Sequence, residues 1–430
     1  MATARELSAA LAGGAARDIL AGIYGSKPLS IGRQLTRYSL LVDGFSAAFP
    51  DAEDLHLFSA PGRTEVGGNH TDHNAGRVLA AAIDLDIAAV AAQTAGRTII
   101  IESEGYPRHA VSLDELAAKD AEKYTAAAIT RGVCARMREL GWRVGGFRAR
   151  MTSAVPKGSG LSSSAAYEVL IVAILNAFYN EGRMPDIEAA RIAQYAENSY
   201  FGKPCGLMDQ TACAVGGLVA IDFEDPARPI VKKVDVPLAG SGFSVVIVDT
   251  GGSHAELNDE YAAIANEMRA VAQALGGRLL REFSRERVLE NVALLREKAG
   301  DRAVLRALHF FDENQRVAEQ VAALEGGRFD EFLRLVVESG RSSWMWCQNC
   351  YPRGAVQEQG IPLALAVSQS ILGGRGAWRV HGGGFAGTIQ AFVPDALLEG
   401  FLRAIRGIFG EASCHELAIR PVGTRRLDIG

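Results

Sequence analysis

The stretch Pro156-Lys-Gly-Ser-Gly-Leu-Ser-Ser-Ser-Ala165 lies between a strand-like segment at 147–152 and a long apolar helical pattern at 165–179. Its glycines let the backbone turn tightly and approach a ligand closely. Its serines begin the helix, whose unpaired N–H groups and dipole suit an anion. No Gly-Lys-Ser/Thr sequence closes the loop, so it is not a Walker loop. These residues favour a phosphate-binding loop, but an ordinary turn that caps a helix stays open as an alternative.

A second stretch, Gly62-Arg-Thr-Glu-Val-Gly-Gly-Asn-His-Thr-Asp-His-Asn-Ala-Gly76, lies between two apolar strand candidates at 55–60 and 78–92. Its glycines keep it compact, and most of its other side chains are polar or charged. Planar polar side chains that both donate and accept hydrogen bonds suit the hydroxyl groups of a sugar. We therefore expect a ligand site here rather than a plain solvated loop.

Three further segments carry weaker signals. Gly206-Leu-Met-Asp-Gln210 offers a single carboxylate, and His381-Gly-Gly-Gly-Phe-Ala-Gly387 is a glycine turn between two strand candidates. Successive glycines can let a ligand approach the backbone, although an ordinary hairpin loop fits equally well. Cys347-Gln-Asn-Cys350 has no second CxxC or paired His at ligand spacing, so we expect ordinary reduced thiols.

Length and composition predict a globular protein of two domains. The 430 residues are 48% hydrophobic and 22% charged, with a net charge of −5. This balance argues against a nucleic-acid or anionic-membrane partner. The most apolar stretch, 78–92, is interrupted by Asp84 and Asp86 and is too short to span a membrane. No secretory signal is visible, so we expect a cytoplasmic protein. We also expect a monomer or a small homo-oligomer.

The predicted helices and strands do not alternate strictly, which favours the α+β class over a doubly wound sheet. Further strands are expected at 97–102, 216–223, 243–250 and within 377–392, and helices at 124–140, 185–199, 258–275 and mostly 285–324. Residues 1–40 are expected to form a helical appendage on the surface. The turn-rich segment Asp225-Pro-Ala-Arg-Pro229 suggests a boundary between domains at 41–225 and 226–430.

Together these segments resemble the galactokinase branch of the GHMP small-molecule kinases. Three motifs stand in the family's order, at 62–76, 156–165 and 379–387, and the resemblance runs from about Val42 to the C-terminus. The segments 197–210 and 249–261, the latter with Ser253 and His254, also follow the family pattern. The resemblance implies an ATP-dependent sugar kinase with an N-terminal ribosomal-protein-S5-like α/β domain and a C-terminal ferredoxin-like α+β domain.

The resemblance also assigns site residues. Asp209 would be the general base at the anomeric hydroxyl of galactose, with Arg63 stabilising charge on the transferring phosphoryl group. Ser164 and Glu197 would bind Mg²⁺. ATP would be bound by Lys157, Gly158, Ser159, Gly160, Leu161, Ser162, Ser163 and Ser164. The sugar would be bound by Asn69, His70, Asp72, Gly206 and Tyr261.

Several positions depart from the family pattern. Asn69 stands where the family has a Glu that accepts a hydrogen bond from the sugar's 6-hydroxyl, and Glu65 stands in place of an Asn. Gly67, His73 and His381 also differ from the usual residues. Because Asn69 brings no charge, galacturonate and L-arabinose are alternatives to galactose. A non-catalytic sensor of ATP and galactose is a further alternative, although the intact phosphate loop favours turnover.

Overall fold

The computed structural model describes residues 3–25, 28–156, 159–235, 241–252 and 257–429. Its α-helices are α1 (Ala4–Leu11), α2 (Gly14–Tyr24), α3 (Pro28–Ala48), α4 (Ala126–Glu139), α5 (Ser163–Tyr179), α6 (Asp186–Ala196), α7 (Met208–Val215), α8 (Asn258–Ala274), α9 (Arg285–Glu290), α10 (Val292–Ala299), α11 (Asp301–Glu325), α12 (Phe329–Ser342), α13 (Gly360–Leu372) and α14 (Asp395–Phe409). Its strands are β1 (Leu55–Gly67), β2 (Arg77–Gln93), β3 (Thr98–Ser103), β4 (His109–Ser112), β5 (Phe147–Ser153), β6 (Leu218–Asp222), β7 (Ile230–Val234), β8 (Phe243–Asp249), β9 (Ala377–Val380), β10 (Thr388–Pro394), β11 (Cys414–Leu417) and β12 (Arg425–Leu427). The α+β class is confirmed.

The larger sheet is built around two long strands, β1 and β2. Its eight strands follow the order β12-β1-β2-β5-β3-β4, with β6 paired to β2 and β7 paired to β6. The β3–β5 pair is parallel, whereas β1 and β2 run antiparallel. Their register is irregular between Pro61 and Arg63 and again between Glu65 and Gly67. The strand expected at 55–60 therefore continues into the polar motif, and the bulges set the direction of the motif's side chains.

Helices cover both faces of this sheet. Phe58 and Ala60 point to a core formed with α4, α5, α6 and α7. The alternate residues Leu55 and Leu57 point to a second core formed with α1, α2 and α3. The N-terminal helices are therefore a structural layer of the sheet, and α3 passes through the boundary that we expected at residue 40.

A smaller sheet of four antiparallel strands follows the order β11-β8-β10-β9. Helices α13 and α14 pack on one of its faces. A shared core, which includes Leu161 of the phosphate loop and residues of α11 and α12, lies between the two sheets. The strands β6 and β7 pair within the larger sheet, so the boundary expected after residue 225 falls between two paired strands.

Two general features of the chain bear on the sequence-based expectations. Among the described residues, no helix has the length and apolar character needed to cross a membrane. The six cysteines are free thiols, and Cys347 and Cys350 are both buried. Burial raises the pKa of both of these thiols, which disfavours the reactive thiolate form.

Candidate active site

The phosphate loop connects β5 to α5 and touches the polar motif of β1. Gly160 and Ser162 both have positive φ angles, +69° and +56°. The backbone N–H of Arg63 donates to the carbonyl of Leu161 at 3.0 Å. A Cβ on Gly62 would lie 2.7 Å from that carbonyl oxygen, so a side chain there would separate the two segments. The loop is thus fixed against β1.

The structure describes only part of the predicted ATP site. Lys157 and Gly158 lie outside the described residues, as do Ser253 and His254. The N-terminus of α5 supplies the first-turn residues Ser163 and Ser164. Backbone N–H groups at such a terminus lack partners within the helix and can bind phosphate oxygens.

Arg63 and Asp209 form a bidentate ion pair beside this loop. Nε and Nη2 of Arg63 donate to Oδ1 and Oδ2 of Asp209, each at 2.7 Å. The third donor of Arg63, Nη1, bonds the carbonyl of Gly160, and the Ser162 hydroxyl donates to Asp209 Oδ2. The pair therefore links the predicted base directly to the phosphate loop.

The local charges keep Asp209 ionised. Burial by itself would raise its pKa, but the Arg63 guanidinium and the Ser162 hydroxyl together hold the pKa of Asp209 below its usual 3.8. About a quarter of the side chain stays accessible, with a relative exposure of 28%. Asp209 lies in the first turn of α7, where the helix dipole also favours a negative charge. A ligand can therefore reach an ionised carboxylate.

Glu197, a predicted metal ligand, begins a π-helical turn, Glu197–Phe201, that follows α6. Its side chain is buried, and Oε2 accepts a hydrogen bond from Gln210 Nε2 at 2.9 Å. The Lys203 ammonium lies 3.6 Å from Oε1, which accepts no hydrogen bond within the described part of the chain. A buried carboxylate oxygen without a hydrogen bond is a suitable ligand for a hard cation.

Magnesium fits this donor set. Mg²⁺ is commonly held by one or two protein oxygens together with substrate phosphates and water. Over the residues that the structure describes, no group of three or more His, Cys, Asp and Glu side chains could hold a metal ion. Ser164 and Glu197 would therefore need the nucleotide's phosphates to complete the coordination of the ion.

The predicted sugar residues meet the glycine turn of the third motif. His70 Nε2 donates to the carbonyl of Gly383 at 2.9 Å, and the Tyr261 hydroxyl donates to the carbonyl of Gly384 at 3.0 Å. A Cβ on Gly383 would lie 2.5 Å from the Tyr261 ring, so the glycine permits this contact. Burial, and to a smaller extent the nearby His73, lowers the pKa of His70 to about 3. Its imidazole is therefore neutral at physiological pH.

Asp72 and Gly206 also lie together. A Cβ on Gly206 would be only 2.1 Å from Oδ2 of Asp72, so only glycine allows this approach. Oδ1 of Asp72 accepts from the backbone N–H of His73 at 3.0 Å. Four of the five predicted sugar residues, His70, Asp72, Gly206 and Tyr261, are thus partly accessible. Two of them contact the glycine turn, and the other two contact each other.

Asn69 differs from the other predicted sugar residues, because it is fully buried. Its Nδ2 donates to Glu65 Oε1 at 3.0 Å and to the carbonyl of Gly382 at 2.7 Å. Its Oδ1 accepts from Ser343 at 3.1 Å and from Asn349 at 2.9 Å. The amide nitrogen and oxygen of Asn69 are therefore both hydrogen-bonded to other groups of the protein.

Two residues that depart from the family pattern belong to the same buried network. Glu65 accepts from Arg379 Nη2 at 2.6 Å, and both side chains are buried. His381 accepts from the backbone N–H of Glu65 at Nε2, so its Nδ1–H donates to Thr388 Oγ1 at 3.1 Å. Burial, with the charges of Arg63 and Arg379, places the pKa of His381 well below 6.5. The ring is therefore a neutral connector between the first and third motifs.

Sequence reasoning did not single out Glu168 and Gln210. Both are fully buried, and Gln210 Nε2 donates to Glu168 Oε2 at 2.9 Å. Glu168 follows Ser164 by one helical turn, and Gln210 follows Asp209 directly. Their positions beside residues already assigned to the site were the signal that could have identified them from the sequence.

Two family models and a curated relative match this chain. Residues 43–93 match the galactokinase galactose-binding signature, and residues 127–217 match the N-terminal domain of GHMP kinases. A galactokinase of Streptomyces coelicolor is 30% identical over 387 residues, which are 87% of this chain and 95% of that protein.

Solved structures share the fold. The crystal structure of Lactococcus lactis galactokinase complexed with galactose superposes with a TM-score of 0.77 at 24% identity, over 91% of this chain and 99% of that one. Methanococcus jannaschii mevalonate kinase has a TM-score of 0.59 at 14% identity, over 85% of this chain and 98% of that one. With a relative this similar over most of both chains, the protein belongs to the galactokinase family of the GHMP kinases.

Proposed function

We propose that the protein transfers the terminal phosphoryl group of ATP to the anomeric hydroxyl of galactose, forming galactose 1-phosphate and ADP. The observation that carries the proposal is the Arg63–Asp209 pair, in which the candidate base is bonded to the phosphate loop through Arg63 and Ser162. A carboxylate in this place can meet a hydroxyl group and a terminal phosphate at the same time.

In the proposed reaction the anomeric oxygen attacks the terminal phosphorus, and the bond from that phosphorus to the ADP oxygen breaks. Asp209 accepts the hydroxyl proton, and its low pKa keeps it available as an acceptor. Its weak basicity is compatible with this role, because the loose transition state of phosphoryl transfer depends mainly on positioning and charge neutralisation. Arg63 orients the carboxylate and supplies positive charge beside the transferring group.

The nucleotide's phosphates would lie against the N-terminus of α5 and the loop before it. Magnesium, held by Ser164 and Glu197, would neutralise the charge of the phosphate oxygens. His70, Asp72, Gly206 and Tyr261 would line the sugar site, with His70 acting as a neutral hydrogen-bonding group. Lys157 and Gly158 keep their proposed role in ATP binding on the sequence resemblance alone.

A related sugar is a second candidate substrate because of the bonds of Asn69. The oxygen and nitrogen of this amide are already hydrogen-bonded to protein groups, so the amide discriminates poorly between substituents at the 6-position of a sugar. L-Arabinose, which lacks the 6-carbon, and galacturonate, which carries a carboxylate there, are therefore the competitors to compare with galactose.

A coupled assay of ADP release with galactose, galacturonate and L-arabinose tests the proposal. We expect ADP and a sugar 1-phosphate in equal amounts, with the highest kcat/KM for galactose. Phosphorus NMR of the product identifies the phosphorylated position. Binding of ATP and sugar without ADP release from any of the three would instead indicate a sensor.

A further inference from the structure

Gln210 joins two buried carboxylates. Its Nε2 lies 2.9 Å from Oε2 of Glu168 and 2.9 Å from Oε2 of Glu197. Gln210 and Glu168 are fully buried, and Glu197 is 3% exposed. An amide nitrogen carries two N–H groups, so each carboxylate can receive one of them. Cys205 Sγ also lies 3.5 Å from Nε2, so the two N–H groups have three acceptors in reach, of which the two carboxylate oxygens are the nearer.

Each member of this group keeps an oxygen atom without a hydrogen bond. Within the described residues, Oε1 of Glu168, Oε1 of Glu197 and Oε1 of Gln210 have no hydrogen-bond partner. Buried acceptors without partners cost free energy unless a cation, a water molecule or a ligand satisfies them. Oε2 of Glu197 is therefore bound by Gln210, whereas Oε1 accepts no hydrogen bond and has only the exposed Lys203 ammonium near it, at 3.6 Å.

The three side chains come from elements that already carry assigned residues. Glu168 lies on α5 one turn after Ser164, the other predicted metal ligand. Gln210 lies on α7 directly after Asp209, and Glu197 begins the π-helical turn. Residues at i and i+4 share one face of a helix, so Glu168 and Ser164 project to the same side of α5.

We propose that Gln210, supported by Glu168, is a positioning residue that fixes the Glu197 carboxylate with Oε1 directed to the metal. The proposal rests on the proposed function, because it assigns Glu197 to magnesium. Without the amide, Oε2 of Glu197 would lose its hydrogen bond, and this contact would no longer hold the carboxylate in its orientation. Groups that orient a metal ligand in this way usually change metal affinity by about 10- to 100-fold.

A metal-binding experiment on the purified chain tests this role. The variant Gln210→Met keeps the length of the side chain and removes both donors. Binding of Mn²⁺ is measured by electron paramagnetic resonance with a non-hydrolysable ATP analogue present. We expect the Kd of Mn²⁺ to rise by about tenfold or more, while the Kd of the analogue in EDTA stays unchanged.

A kinetic measurement separates positioning from general damage. The KM for Mg²⁺ should rise with the Kd of Mn²⁺, whereas kcat at saturating Mg²⁺ should largely recover. The control is Gln194→Met, because Gln194 donates to the carbonyl of Cys205 at 3.2 Å, in the same region, and not to a carboxylate. Its Mn²⁺ affinity should match that of the unmodified chain.

Two results would overturn the proposal. One is an unchanged Mn²⁺ affinity in folded Gln210→Met, and the other is an equal loss in Gln194→Met. If Gln210→Met does not fold, Glu168→Gln tests the proposal instead, because it weakens the acceptor of one N–H of Gln210. This variant should raise the Kd of Mn²⁺ at least about threefold. Intact Mn²⁺ binding without any sugar phosphorylation would reject the proposed function and leave this inference standing.

Discussion

Arg63 and Asp209 are 146 residues apart in the sequence, yet two nitrogen atoms of the arginine lie 2.7 Å from the two carboxylate oxygens of the aspartate. The bulged strand β1 delivers the arginine, and the first turn of α7 delivers the aspartate. A planar guanidinium and a planar carboxylate in this arrangement fix each other's orientation. The pair therefore sets both the direction and the ionisation of the candidate base.

Replacing Asp209 by Asn should remove the proton acceptor with little change of shape. We expect kcat to fall by about 10²-fold or more, the usual effect of losing a general base. The Kd values of ATP and sugar, measured by calorimetry, should change little. Turnover close to normal in a folded Asp209→Asn protein would exclude Asp209 as the base.

Replacing Arg63 by Lys should lower kcat by about 10²-fold, because one ammonium group cannot donate along two parallel directions. The pKa of Asp209, which Arg63 holds below 3.8, should then move upward. The loss of activity on the acid side of the pH–kcat/KM profile should accordingly begin at a higher pH than in the unmodified chain. An unshifted profile would mean that Arg63 does not control the ionisation of Asp209. The exposed Arg426→Lys is the matched control.

The apolar runs that became β2, β5 and α5 were predictable from the sequence, but α7, which carries Asp209, was not among the expected helices. The resemblance to a family named Asp209 and Arg63, but their mutual geometry required the structure. The strand expected at 55–60 was too short, because polar residues from Arg63 onward hide a bulged strand behind the pattern of a loop.

The N-terminal layer shows a different limit of sequence reasoning. Residues 1–40 carry no recognisable motif, and their apolar positions alone do not show which surface of the protein they pack against. The structure supplies the partner, because β1 and β2 have apolar side chains on both faces and the second face needs a cover. The hydrogen bonds of Asn69 likewise depend on Ser343 and Asn349, which are distant in sequence.

Glu313 should make stability depend on pH. Burial by itself would raise its pKa, but Arg316, with further nearby charges, brings the pKa of Glu313 down from 4.5 to about 2. A pKa lowered by folding stabilises the protein above the unfolded value and loses that contribution as the pH falls to the folded value. The difference is worth about 3 kcal/mol.

We therefore expect Glu313→Gln to be destabilised by up to about 3 kcal/mol near neutral pH, and this gap should narrow as the pH falls from 4.5 toward 2. Urea unfolding across that range measures the gap. A gap that does not change with pH would show that Glu313 contributes shape and not charge. Glu297→Gln, at an exposed position on α10, serves as the control.

The exchange of acid and amide at positions 65 and 69 predicts a coupling between them. Asn69→Glu alone would place a second buried carboxylate beside Glu65, and Glu65→Asn alone would leave Arg379 without its buried partner. Each change should cost about 3 kcal/mol or more. The double variant should cost less than the sum, because it restores one acid and one amide. Urea unfolding of the four proteins gives the coupling free energy, and strict additivity would contradict the prediction.

Asp86 should be the residue through which the N-terminal layer stabilises the sheet. This fully buried carboxylate on β2 accepts from Tyr24 of α2 at 2.5 Å and from Arg37 of α3, and Arg420 lies 3.5 Å away. Asp86→Ala would remove the negative charge that faces the buried Arg420 and the carboxylate that accepts from the Tyr24 hydroxyl, a loss of about 3 to 5 kcal/mol.

Urea unfolding, followed by both tryptophan fluorescence and circular dichroism, measures the cost of Asp86→Ala. Asp225→Ala breaks an exposed ion pair with Arg228 and should change stability by less than about 0.5 kcal/mol, so it is the matched control. Because α2 and α3 lose their shared anchor, hydrogen exchange should also quicken in these helices more than in α5. Equal stability of the two variants would mean that apolar packing alone holds the layer to the sheet.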